Sequence, residues 1–172
     1  MYAIGEYVFR ENDGVCRVSE IGHLDFQKPE EERTYYTLIP IGDDKTKIYV
    51  PTEPEPIGIR KLISRDDALK LIRNIQCIPP INLANERQCE QQYKQSLRSN
   101  DPSQLVAMIK TLYTREQARL TQGKKSLIMD KSYFQQAEKL LYSELAMVLG
   151  VDEISIPDRI KASIAENNPF MD

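Results

Sequence analysis

The sequence predicts an α+β protein, a small SH3/Tudor-like β-barrel over residues 1–62 followed by an all-α domain of about five helices over residues 63–172. Three observations predict it. Short β-prone runs separated by polar turns fill the N-terminal third. The apolar spacing changes to a helical period after Ser64. Pro51, Pro54 and Pro56 punctuate the stretch where the change occurs.

The strands follow in order. Tyr7-Val8-Phe9 is short and β-prone, and Asn12-Asp13-Gly14 is a turn in which the glycine supplies positive φ at little cost. From Val15 to Ile21 the chain alternates, with Cys16 and Val18 as the apolar face. Residues 27–32 read as a charged loop. Thr34 to Pro40 is the strongest strand, rich in β-branched and aromatic types. Gly42-Asp43-Asp44 turns the chain into Lys47-Ile48-Tyr49-Val50-Pro51, and Ile57-Gly58-Ile59-Arg60 is a last short strand. Such a segment buries little apolar area and exposes a strand edge to which a partner strand can add.

The helices follow. Ser64 is an N-cap, with Asp66 and Asp67 in the first turn and Ala68, Leu71, Ile72 and Ile75 on one face. Pro79-Pro80 stops that element. A polar second helix runs from about Ala84 to Arg98, anchored by Tyr93 and Leu97. Asp101-Pro102-Ser103-Gln104 opens a third as a capping box, with Leu105, Met108, Ile109, Leu112 and Tyr113 as its stripe. Gln122-Gly123 ends it. A fourth helix starts at Asp130 and ends at Gly150, and a fifth starts near Pro157. Residues 167–172 are expected to fray.

Composition excludes several function classes. The chain has 172 residues, 41% hydrophobic and 28% charged, with a net charge of −3; this is an ordinary globular balance. No apolar run approaches a membrane span, and the first residues lack the basic and apolar regions of a secretory signal. Cys16, Cys77 and Cys89 are widely spaced and the sole histidine is His23, so the expectation is reduced thiols in a cytoplasmic protein with no metal and no cofactor. No glycine-rich phosphate loop is present. His23 reads as a surface loop residue, and the Asp43/Asp44 and Asp66/Asp67 pairs are explained by a turn and a helix dipole. No enzyme is expected.

Charge is unevenly spread. Carboxylates outnumber cations over residues 1–66, and cations outnumber carboxylates over residues 81–145. Arg87, Lys94 and Arg98 fall on the polar second helix, the last two four residues apart and so on one face. Arg115/Arg119 and Lys124-Lys125 follow. Cations bind a nucleic-acid backbone only where they converge in space; dispersed and solvated helix faces are the bland alternative.

The succession of segments resembles the CarD/CdnL family of bacterial transcription regulators over nearly the whole chain. Residues Tyr2 to Phe9 and Asp13-Gly14-Val15-Cys16-Arg17-Val18 are similar to the family's opening hairpin. Tyr35-Tyr36-Thr37-Leu38, Lys47 to Pro51 and Ile57-Gly58-Ile59-Arg60 follow in order. The helical half matches at Tyr93-Lys94, Leu97, Ser99-Asn100-Asp101, Val106 to Leu112, Glu138 to Leu141 and Ser143 to Ala146.

The resemblance implies a Tudor-like domain that pairs with the RNA polymerase β subunit through a strand edge, here Tyr35, Tyr36, Thr37, Leu38, Lys47, Ile48 and Tyr49. It also implies a helical domain that contacts promoter DNA, here without sequence preference through Arg87, Lys94 and Arg98, and modulates the open complex as a monomer. Two positions depart from the family. The tryptophan that several members carry at the start of the second helix has no counterpart, since the chain contains none and has Asn85-Glu86 there. Tyr49 stands where those members place an arginine. A protein–protein adaptor that uses the barrel edge without touching DNA is the competing expectation.

Overall fold

The computed structural model describes residues 1–24, 33–54, 56, 58–83 and 88–166. They form two compact units, Met1–Leu62 and Ile63–Asp172. The architecture is α+β, a curled five-stranded antiparallel sheet followed by five helices.

The first unit contains β1 (Tyr7–Arg10), β2 (Gly14–Gly22), β3 (Tyr35–Pro40), β4 (Ile48–Pro51) and β5 (Ile59–Lys61) in the spatial order β4-β3-β2-β1-β5. The β1–β2 hairpin is tight because Asn12 and Gly14 both take positive φ, 66° and 77°. Arg10 closes the turn by an ion pair to Asp13. Alternation sends Val8, Cys16, Val18, Tyr36, Leu38, Val50 and Ile59 into one core, against which Tyr2 and Ile48 pack. Tyr36 is held at its polar end, where its hydroxyl accepts from the Tyr2 N–H at 3.1 Å. Tyr2 and Tyr36 also stack edge to face, 5.6 Å between centroids.

Two strand expectations are refined. Val15 is buried as well as Cys16, because β2 is covered on both faces where it begins. The register then shifts between Val18 and Glu20, so Ser19 is an extra residue whose hydroxyl donates to the Thr37 carbonyl at 3.0 Å. Gly58 is a turn residue, and the last strand starts at Ile59. The sheet is open among the described residues, with β4 and β5 as its two terminal strands. The charged loop expected over residues 27–32 lies outside the described residues.

The second unit contains α1 (Arg65–Arg73), α2 (Cys89–Arg98), α3 (Pro102–Thr121), α4 (Ile128–Leu149) and α5 (Ile156–Glu166). Ser64 caps α1 by accepting from the Asp67 N–H. α1 gives way to a short 3₁₀ turn, Ile75–Cys77, before the two prolines. α2 begins at Cys89; the expected start near Ala84 lies outside the described residues. Asp101 caps α3 through the Ser103 N–H at 2.8 Å, but the other half of the expected capping box is replaced: the Asp101 N–H donates to the Ser99 hydroxyl.

On α3 the buried stripe is Leu105, Val106, Met108 and Leu112, whereas Tyr113 is 55% exposed. Asp130 does not start α4; the helix begins two residues earlier, and Asp130 is 5% exposed. Its Oδ2 meets Arg115 Nε of α3 at 3.1 Å. Gly150 ends α4 in the left-handed region at φ 67°. Glu144, fully buried on α4, accepts the Ile63 N–H at 3.1 Å, and Arg65 donates to the Leu149 carbonyl at the end of the same helix.

The Arg115–Asp130 pair joins α3 to α4 in a setting where a lone carboxylate is costly. Arg115→Ala is expected to destabilise the helical unit by about 3–5 kcal/mol. The double replacement Arg115→Met/Asp130→Leu is expected to recover most of that loss. Urea unfolding followed by helical circular dichroism checks both; equal losses in the single and double variants would refute the pair's role.

Candidate functional site

The first candidate is the β4 end of the sheet. Among the described residues β4 pairs only with β3, in the register Tyr35↔Pro51, Tyr36↔Val50, Thr37↔Tyr49 and Leu38↔Ile48. The Thr52 N–H donates to the Thr34 carbonyl at 3.0 Å, which fixes the phase of the ladder. Antiparallel alternation then turns Val50 and Ile48 toward β3 and the Tyr49 main chain toward the outer side. Pro51 has no N–H, so donors on that outer side stop short of it.

The seven residues predicted to face a protein partner separate into three groups. Tyr36 and Leu38 are core side chains, and their strand is flanked by β2 and β4, so they support the edge from behind. Ile48 packs partly against the same core. Tyr35, Thr37, Lys47 and Tyr49 belong to the opposite face of the sheet by register; Lys47 is exposed and Tyr49 is 41% exposed.

That face carries a shallow pocket of about 330 Å³ with Thr37 as its floor and Glu20, His23, Lys47 and Tyr49 among its walls. Thr37 is only 3% exposed. Lys47 Nζ lies 4.0 Å from Glu20 Oε1, and His23 Nδ1 is 3.2 Å from the Arg33 carbonyl. The participation of Glu20 and His23 was not legible in the sequence, because the extra residue at Ser19 resets which of β2's side chains share this face.

The second candidate is the exposed face of α2. Lys94 and Arg98 do share that face, as their spacing predicts, and both are exposed. Lys94 is already paired, with its Nζ 2.8 Å from Glu90 Oε1. That contact holds the Glu90 carboxyl below the usual carboxylate range and raises Lys94. The Tyr133 hydroxyl of α4 also reaches Glu90, at 3.4 Å. Arg87, the third predicted cation, lies outside the described residues.

The three cysteines differ in their surroundings. Burial, reinforced by the charge of Asp13, pushes the Cys16 thiol up to about 12, so it stays protonated at neutral pH. Cys89 is buried and Cys77 is exposed. Among the described residues no group of three or more His, Cys, Asp or Glu side chains is placed to hold a metal ion. No described helix is long and apolar enough to cross a membrane.

A native-state thiol titration with a disulfide reagent is expected to show one fast thiol, Cys77, with Cys16 and Cys89 reacting only on unfolding. Fast loss of a second thiol in the native protein would contradict the burial.

The matched family accounts for the sheet and its edge. Residues 2–63 match the family model described as the CarD-like/TRCF RID domain. No curated protein matches the chain. The match spans all five strands and stops at the start of the helical unit. The N-terminal unit of this chain therefore matches the CarD-like/TRCF RID domain, the RNA-polymerase-interacting domain of CarD-like proteins.

Proposed function

We propose that this protein is a non-enzymatic transcription regulator that docks on the RNA polymerase β subunit through β4 and meets promoter DNA through its helical unit, modulating the stability of the open complex. The observation that carries the reading is the family match of residues 2–63 to a polymerase-interacting domain whose β4 is a terminal strand. A strand added beside β4 gains main-chain hydrogen bonds for affinity. Its alternate side chains fall beside Tyr49 and Lys47, where the pocket floored by Thr37 supplies selectivity. Lys94 and Arg98, with Arg87 as their neighbour in sequence, then face the DNA backbone. A bound protein shifts promoter melting only by the difference in its affinity for the open and closed states.

The Glu90–Lys94 pair favours a second reading, since a cation already neutralised releases little counterion on meeting phosphate. In that reading the chain is an adaptor that uses β4 alone.

Two outcomes test these readings. Lys47→Glu/Tyr49→Glu changes the charge and the side chains of this edge while leaving the β3 ladder intact, so it is expected to weaken capture of the β subunit by at least roughly tenfold with the sheet still folded. Unchanged capture would refute docking at this edge. Lys94→Glu/Arg98→Glu is expected to shorten the lifetime of promoter open complexes and leave polymerase capture intact. An unchanged lifetime would leave the adaptor reading standing.

A further inference from the structure

The helical unit holds a cavity that neither the sheet edge nor the α2 face uses. It measures about 330 Å³ and is lined from α3, α4, α5 and the 3₁₀ turn after α1. Ile75 of the turn, Val106 of α3 and Leu141 of α4 are its buried walls. Ile109 of α3, Tyr142 of α4 and Ile160 of α5 are half-buried around them. Val106, Ile109 and Lys110 recur at helical spacing and so share one side of α3. Packed interiors leave few voids larger than a water molecule. An aliphatic void of this size offers water few polar partners and takes up an apolar ligand instead.

One edge of the cavity is charged. The Lys110 ammonium donates to the main-chain carbonyls of Gln76, at 3.0 Å, and Ile78, at 2.7 Å. Both Lys110 and Gln76 are lining residues, so the ammonium sits at the Gln76 edge. An ammonium has three N–H donors, and the two carbonyls take two. Carbonyls carry no net charge, so the cation is held without being neutralised. Partial burial lowers the Lys110 pKa, and no carboxylate among the described residues offsets that. The Tyr142 hydroxyl is already engaged, donating to Glu138 at 3.0 Å. Among the described residues no Asp or Glu lines the cavity.

We propose that this cavity binds a small aliphatic monocarboxylate, its alkyl chain against Val106, Ile109, Leu141 and Ile160 and its carboxylate on the Lys110 ammonium. The carboxylate accepts the third N–H and neutralises the cation, a charge-assisted bond that an alcohol does not match. A cationic amphiphile meets a like charge at the same edge. A polar ligand of equal size strands its polar groups against aliphatic walls. No residue of β4 or α2 lines the cavity, so the site is separate from both candidate contacts. Its walls come from four elements, so a bound ligand joins them and stabilises the folded helical unit.

The test is titration calorimetry on the full chain with hexanoate, octanoate, decanoate and dodecanoate, each below its micellar concentration. Affinity is expected to rise about threefold to fourfold per added methylene, then level off once the chain fills the cavity. Octanoate is expected to bind at least roughly tenfold more tightly than octanol. Lys110→Met keeps an apolar stem and removes the charge; it is expected to abolish that preference while octanol binding stays within about threefold. Ile109→Phe fills the cavity from a half-buried wall and is expected to weaken every ligand by at least roughly tenfold, with helical circular dichroism unchanged. In the wild-type chain, decanoate is expected to shift the methyl resonances of Ile75, Ile109 and Ile160.

Absence of binding by decanoate at millimolar concentration would overturn the site. Affinity that climbs along the series without levelling off would show adventitious surface association and overturn the cavity. Methyl shifts confined to other isoleucines would do the same, whatever the variants show. A preference for octanoate that survives in Lys110→Met would overturn the carboxylate's placement. Equal binding of octanoate and octyltrimethylammonium by the wild-type chain would reduce the site to an apolar slot open to any partner's side chain.

Discussion

The constraint on which the N-terminal unit depends is the scarcity of apolar area in a sheet of this size. A unit of about sixty residues buries only roughly 60% of the surface its unfolded chain exposes, less than a larger domain does, and stands near the margin of stability. Phe9 and Val15 are buried on one face of the sheet, and the main core is the other face: Val8, Cys16, Val18, Tyr36, Leu38, Val50 and Ile59. Every strand must spend its inward residues on that face. The consequence is a division of labour inside each strand. On β3, Tyr36 and Leu38 hold the fold while Tyr35 and Thr37 present the other face. On β4, Val50 is core while Tyr49 and Lys47 look outward. The candidate edge at β4 is thus the by-product of a core built mainly on one side of a sheet that is open among the described residues.

The helical unit meets the same scarcity differently. Its α3–α4 pair carries a continuous apolar interior but includes two carboxylates, Asp130 and Glu144, that a purely apolar interface would exclude. Each is held by a specific donor, Arg115 in one case and the Ile63 N–H in the other. Buried charges of this kind contribute little net stability and instead penalise alternative packings, since any slip leaves a charge without its partner. The Arg115–Asp130 pair ties α3 to α4, and the Glu144 bond ties α4 to the segment before α1.

Electrostatics qualifies the helical candidate. On α2, Lys94 is bound to Glu90, so the spacing that put two cations on one face did not make that face strongly positive. At the α3–α4 turn Lys124, Lys125 and Lys131 are exposed, beside a cavity that Glu116, Glu138 and the buried Asp130 also line. Linear counting over residues 81–145 registers a mild positive excess, and it does not show which cations are paired.

The sequence by itself determined the element order, the division into strands and then helices, the caps at Ser64 and Asp101, the stop at Gly150 and the polymerase-interacting character of the first unit. These rest on local chemistry, namely period, capping and turn residues, or on a succession of short segments that survives without knowledge of contacts. Tertiary structure alone decided that Tyr36 and Leu38 support the edge rather than form it, because strand neighbours are non-local. It also decided that Glu20 and His23 join Lys47 and Tyr49, because a single extra residue at Ser19 changes the face of everything after it. Tyr113 lay on the expected stripe and is exposed, while Val106 is buried, because what covers α3 is set by α2 and α4 and not by α3's own period. Whether a lysine is a free cation or half of a pair depends on what packs beside it, and a linear chain cannot state that.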